Sequence, residues 1–198
     1  MTTIEFQSYW AENFAETPPI NHLFKHLLNE KWLRTHSLPE AKRYAETDEE
    51  WLELLERQHT LFQDLMPTNE PFYLLLGLYS QGEKVYDESI FEAYNFFKTL
   101  TFNELEKIDL FKTSGDWYDE GMFYTPYFAE VKNNPNDFNV ILKAIANDEI
   151  RVFFLNPTNN CIIAPYDGGV DLILKDNETM LFYKEKYKNW LSEREDGL

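Results

Sequence analysis

The run Phe72-Tyr-Leu-Leu-Leu-Gly-Leu-Tyr79 limits the possible folds more than any other stretch of the chain. It passes without a charge between Pro71 and the polar Ser80-Gln81. A strand with one wet face alternates polar and apolar side chains, whereas an unbroken apolar run of strand length marks a buried central strand. The run is far too short to cross a bilayer. Whatever surrounds it must supply apolar cover.

The flanking sequence offers that cover as helices and further strands. Phe6, Trp10 and Phe14 recur every fourth residue and predict a helix over 4–16, ended by Pro18-Pro19. Leu23, Phe24, Leu27 and Leu28 predict a second helix from Asn21 to Trp32. Thr47-Asp-Glu-Glu50 has capping-box spacing and opens a third, through Trp51, Leu54, Leu55, Leu61, Phe62 and Leu65, with Pro67 and Pro71 bracketing its exit. Thr101-Phe-Asn-Glu104 reads as a further cap before Leu105, Ile108 and Leu110. Residues 121–131 are dense in aromatics, with Pro126 arguing for an edge or a bulge. Asn136 is placed to cap a helix carrying Phe138, Ile141, Leu142 and Ile145.

The C-terminal third is the most legible. Residues 150–155 and 161–166 read as strands joined by Asn156-Pro-Thr-Asn-Asn160, and Asp167-Gly-Gly169 turns into a third strand over 170–174. Asp176 or Asn177 then starts a closing helix with a stripe of Met180, Tyr183, Tyr187, Trp190 and Leu191. The expected fold is one α+β domain over 1–198. Its helical N-terminal half (about 1–66) surrounds a mainly antiparallel sheet within 72–191, closed by a C-terminal meander and helix.

The 198 residues carry 35 acids and 18 bases, a net charge of −17. Acids exceed bases in every third of the chain, so nucleic acid is repelled and a basic protein, such as a toxin, is attracted. A mimic of duplex nucleic acid would need carboxylates at phosphate-like intervals. One cysteine, Cys161, rules out an internal disulfide. Met1-Thr-Thr-Ile-Glu-Phe6 lacks the basic and then apolar pattern of a secretory signal, so a cytoplasmic protein is expected, with no membrane contact. Oligomeric state has no signature in the sequence.

Against this acidity stands a cationic segment, Trp32-Leu-Arg-Thr-His-Ser-Leu-Pro-Glu-Ala-Lys-Arg-Tyr44, read as the loop between the second and third helices. Arg34, Lys42 and Arg43 are candidates to grip a phosphate or carboxylate, with His36 as acid or base and Ser37 as a donor to the same anion. That reading requires the five side chains to converge on one pocket. The structural alternative pairs the cations with Glu40, Glu46, Asp48 or Glu50.

Two segments resemble a known family. Val152-Phe-Phe-Leu-Asn156, Tyr166-Asp-Gly-Gly-Val-Asp171 and Tyr183-x-x-x-Tyr187-x-x-Trp190 resemble the bacterial domain of unknown function 3885 (DUF3885). The segment Arg34-x-His36-Ser-Leu-Pro-Glu-x-Lys42-Arg-Tyr44 is similar to a stretch in bacterial proteins grouped with it. The family pattern often has histidine two residues before the Tyr-Asp pair and Asp-Arg-Gly after it; here Ala164 and a shorter Gly168-Gly169 turn stand there. No role of that histidine or arginine carries over. The resemblance implies a compact bacterial cytosolic protein and no established activity; small acidic families of this kind resemble immunity proteins that mask toxins.

A second candidate site is the acidic knot Asp116-Trp-Tyr-Asp-Glu120, flanked by Gly115 and Gly121. Its spacing does not match a calcium loop, and Trp117 and Tyr118 are the side-chain types that anchor interfaces, so Asp116, Trp117, Tyr118, Asp119 and Glu120 are read as partner contacts. His22 and His26 are four apart but lack the glutamate of a zinc-protease helix, so no metal is assigned. Cys161 reads as a buried, inert thiol. With no nucleophile elbow, phosphate loop or dinucleotide fingerprint, neither a cofactor nor a catalytic residue is assigned. The sequence thus favours a non-enzymatic protein-binding module, immunity-type or regulatory, over a small-molecule or phosphate-binding protein, possibly an enzyme, built on residues 34–43.

Overall fold

The structure is a computed structural model that describes residues 1–15, 17–66, 71–131 and 135–193, with the side chains of 135–137 also outside the description. The expected exit proline Pro67 and the capping side chain of Asn136 fall outside the described residues.

Helix α1 (Thr3–Phe14) is closed at its start by a capping box, Thr2 with Glu5. The predicted helix over 21–32 breaks up. A 3₁₀ turn at Asn21–Leu23 runs into the single turn α2 (Phe24–Leu27), and another 3₁₀ turn follows at Asn29–Lys31. Leu28, at φ −122° and ψ 30°, leaves the helical region and stops it. The segment read as a loop begins as a strand, β1 (Trp32–His36). Helix α3 (Asp48–Leu65) opens on the expected box of Thr47 and Glu50.

Strand β2 (Phe72–Gln81) is the predicted apolar run, and β3 (Lys84–Val85) pairs back onto it. Two short helices follow, α4 (Ile90–Ala93) and α5 (Asn95–Lys98). The helix expected after Thr101 is absent; that stretch holds β4 (Asn103–Glu104) and β5 (Ile108–Asp109). The cap lies further on, where Asp109 accepts from Lys112 N–H at 3.1 Å and opens α6 (Leu110–Ser114). Strand β6 (Met122–Val131) runs through Pro126, and α7 (Pro135–Ala146) begins on a proline, which suits the first turn of a helix. The meander is β7 (Phe153–Asn156), β8 (Cys161–Tyr166) and β9 (Gly169–Ile173), followed by α8 (Asn177–Lys186) capped by Asp176.

The nine strands of the described residues form one antiparallel sheet, in the order β1-β9-β8-β7-β2-β6-β4, with β3 on β2 and β5 on β6. The α+β class is therefore as expected. The unbroken apolar run of β2 has a direct cause. Phe72, Leu74 and Leu76 enter one core cluster with residues of α3 and α7, while Tyr73 and Leu75 enter another with Phe6, Trp10 and Phe14 of α1 and Phe24 of α2. Over residues 72–76 neither face of the strand meets water.

Pro126 sits opposite Gly77 of β2, and its carbonyl accepts from Leu105 N–H at 2.9 Å. N–H and C=O of one strand residue point the same way, so its missing donor faces the outer side, where only the two-residue β4 and β5 lie. The stripe of Met180, Tyr183, Tyr187, Trp190 and Leu191 packs on the core as expected, but α8 ends at Lys186 and a 3₁₀ turn at Lys188–Trp190 carries its last aromatic. The connector after β7 is an Asx turn. The buried Asn156 carbonyl accepts from Thr158 and Asn159 N–H at 3.0 and 3.2 Å, and its amide donates to Leu65 O.

Candidate functional site

The cationic segment and the Tyr166-Asp-Gly-Gly turn meet as one unit. Strand β1 lies antiparallel on β9, with Arg34 opposite Asp171 and His36 opposite Gly169. Gly169 permits that approach: a Cβ there would stand 2.0 Å from the Thr35 carbonyl oxygen. Arg34 Nε donates to Asp171 Oδ1 at 2.7 Å and Nη2 to Oδ2 at 2.8 Å, a bidentate pair whose side chains are only 14% and 9% exposed. The guanidinium lies 4.5 Å from the Tyr166 ring centre and 5.3 Å from that of Trp32. Burial alone would lower the pKa of Arg34; the hydrogen bonds and charge of Asp171 more than reverse that and hold it above its usual range.

A second pair sits one turn away. Arg43 donates through Nε to Asp167 and its Nη2 pairs with the same carboxylate, which also accepts from Tyr44 Oη at 2.9 Å. Lys42 turns elsewhere, to Glu50 at 2.7 Å and Glu46 at 2.9 Å at the start of α3. His36 is buried, and its Nε2 has no hydrogen-bond partner among the described residues. Burial lowers its pKa, and Arg34 and Arg57 push the same way against a hydrogen bond with the Gly168 backbone. The buried Ser37 hydroxyl accepts from Gln58 Nε2 at 3.0 Å, and Arg57 donates to the His36 carbonyl at 3.1 Å.

The five candidate residues of the cationic segment therefore do not converge on one anion. Arg34 and Arg43 share a cavity of about 260 Å3, but each is engaged by an aspartate; Lys42 reinforces a helix start, and His36 and Ser37 lie under α3. The pairing of Lys42 with Glu46 and Glu50 is the one expected from sequence. Asp167 and Asp171 carry no sequence signal as partners, because they lie 124 and 137 residues away from Arg43 and Arg34, with no local pattern to link them.

The acidic knot follows α6 as a turn on the surface. Trp117 is 53% exposed, its ring edge-on to His26 at 5.0 Å. Tyr118 points inward. Its hydroxyl meets His22 Nε2, and its ring packs beside the buried Ile20, Leu23, Leu110 and Tyr124. His22 is pushed down to about 4, first by burial and then by the positive charges of Arg151, His26 and Lys25, so the neutral ring accepts from Tyr118. Asp116, Asp119 and Glu120 are exposed, and among the described residues no hydrogen bond or ion pair engages their side chains. Phe111 on α6 is exposed too. His22 and His26 thus meet aromatic rings, and among the described residues no three His, Cys, Asp or Glu side chains are grouped to hold a metal ion. Cys161 is buried, with its thiol pushed up to about 12 by that burial. Among the described residues no helix is long and apolar enough to cross a membrane.

A family model described as Domain of unknown function (DUF3885) matches residues 20–195, so the chain belongs to that family. The match takes in β1, the Arg–Asp pairs, the acidic knot and all of the sheet, and leaves α1 outside. No curated protein and no solved structure matches the chain.

Proposed function

We propose that this DUF3885 protein is a non-enzymatic binding module that docks a basic protein partner on the turn Asp116–Glu120 and acts by covering that partner's surface, in an immunity-type or regulatory role in the bacterial cytoplasm. The observation that carries the reading is the half-exposed Trp117, set among three carboxylates that nothing among the described residues neutralises. A tryptophan left in water costs solvation and gains it back at an interface, where such side chains dominate binding energy. Tyr118 holds the turn from below through His22, so little order has to be acquired on docking.

Charge supports the same reading. Among the described residues, ion pairs engage 11 carboxylates and 10 bases, so pairing does not cancel the excess of acid over base. Such a field speeds encounter with a cationic partner and disfavours nucleic acid. The test is affinity capture from host-cell extract with wild-type protein and with a Trp117→Ala/Asp116→Asn/Asp119→Asn/Glu120→Gln variant. Recovery of a basic protein by the wild type alone is expected. Equal recovery by both would remove the basis of the proposal.

A further inference from the structure

The cavity beside the Arg–Asp pairs has a charge balance opposite to that of the chain around it. Lys25 from α2, Arg151 from the turn before β7, and Arg34 and Arg43 line it, against Asp148, Asp167 and Asp171. Four cations thus face three carboxylates in a protein of net charge −17. The pairing also leaves donors over. Lys25 makes no ion pair among the described residues, and Arg151, 65% exposed, has only a loose 3.5 Å contact with Asp148. Arg43 uses Nε and Nη2 on Asp167, which leaves Nη1 uncommitted among the described residues. His22 also lines the cavity; burial first, and then the positive charges of Arg151, His26 and Lys25, depress its pKa.

The shape narrows the ligand. A volume of about 260 Å3 exceeds what a lone tetrahedral anion fills, and Ile145, Ile150 and Pro165 give part of the wall an apolar surface. The free donors arrive from three separate chain segments. That suits the three outer oxygens of a phosphoryl group better than the two coplanar oxygens of a carboxylate.

We infer that this cavity binds a small phosphate monoester, with its phosphoryl group held by Lys25, Arg151 and the uncommitted N–H groups of Arg43 and its organic part against Ile145 and Ile150. The site differs from the five-residue reading of the cationic segment. His36, Ser37 and Lys42 take no part, and the principal ligands come from α2 and from the α7–β7 turn. It does not depend on the docking turn.

The probe is phenyl phosphate, titrated by calorimetry and by the ring resonances of His22, with benzoate as the carboxylate control. Saturable binding of phenyl phosphate is expected, weakened at least about tenfold in Lys25→Ala/Arg151→Ala, since a charge-assisted contact is worth roughly that factor. The bound dianion is expected to raise the pKa of His22. Both replaced side chains reach solvent, so the variant is expected to keep its melting temperature; Arg151→Gln alone serves if it does not. Equal affinity in wild type and variant, or benzoate binding as tightly as phenyl phosphate, would overturn the inference.

Discussion

Replacing Arg34 by methionine removes one half of a buried, bidentate pair and leaves the Asp171 carboxylate behind in a site only 9% exposed. Two unit charges about 4 Å apart attract by roughly 4 kcal/mol at an effective dielectric of about 20. The cost of drying both groups offsets much of that in the intact pair. The single variant keeps the drying cost and loses the attraction, which puts its destabilisation at about 3–5 kcal/mol. For a chain of this length that is a fall in melting temperature on the order of 6–20 °C. Asp171→Leu alone strands the guanidinium and is expected to cost a similar amount. The double variant Arg34→Met/Asp171→Leu leaves no stranded charge at this pair and keeps the packing volume against Tyr166 and Trp32, so it should recover most of the loss. The assay is chemical denaturation of all four proteins, read as a double-mutant cycle. Additive losses, or an Arg34→Met cost below about 1 kcal/mol, would refute the view that this pair is a buried tie between β1 and β9.

The other predictions address separate parts of the structure. Gly169→Ala drives a Cβ into the Thr35 carbonyl, a backbone atom that can yield only by moving β1, so a loss of about 1–3 kcal/mol in denaturant midpoint analysis is expected. His22 is held neutral, with a folded pKa of about 4 against an ordinary 6.5, so only the unfolded chain takes up its proton over that interval. Stability from this group is complete above pH 6.5 and declines as pH falls toward 4; His22→Gln should flatten that part of the stability profile. Cys161, with its thiol pushed up to about 12, should not react with a disulfide reagent at pH 8 until denaturant is added.

The parts of the fold that could be read from sequence carry short-range signals. The capping box at Thr47 lies within four residues, and the strands of the meander are joined by turn residues with their own hydrogen bonds. The apolar run of β2 announces burial on both faces, and the structure supplies helices on each. What was missed depends on distant partners. Trp32–His36 carries three polar or charged residues in five, and only pairing with β9, more than a hundred residues later, makes it a strand. The two-residue strands β4 and β5 are too short for any periodicity to show, and they owe their geometry to β6. At the candidate sites the contrast is the same. The exposed turn at Asp116–Glu120 was legible from composition, since three acids beside a tryptophan rarely pack inside. The fate of the cationic segment was not, because the aspartates that engage it are brought alongside only by the strand register.

Binding of the recovered partner to wild-type and Trp117→Ala protein, each at low and at physiological salt, tests the central claim most directly. A docking tryptophan at the centre of a contact should cost at least about thirtyfold in affinity when truncated, and the association rate of the wild type should fall as salt rises. An affinity that neither the substitution nor salt alters would place the contact elsewhere on the molecule.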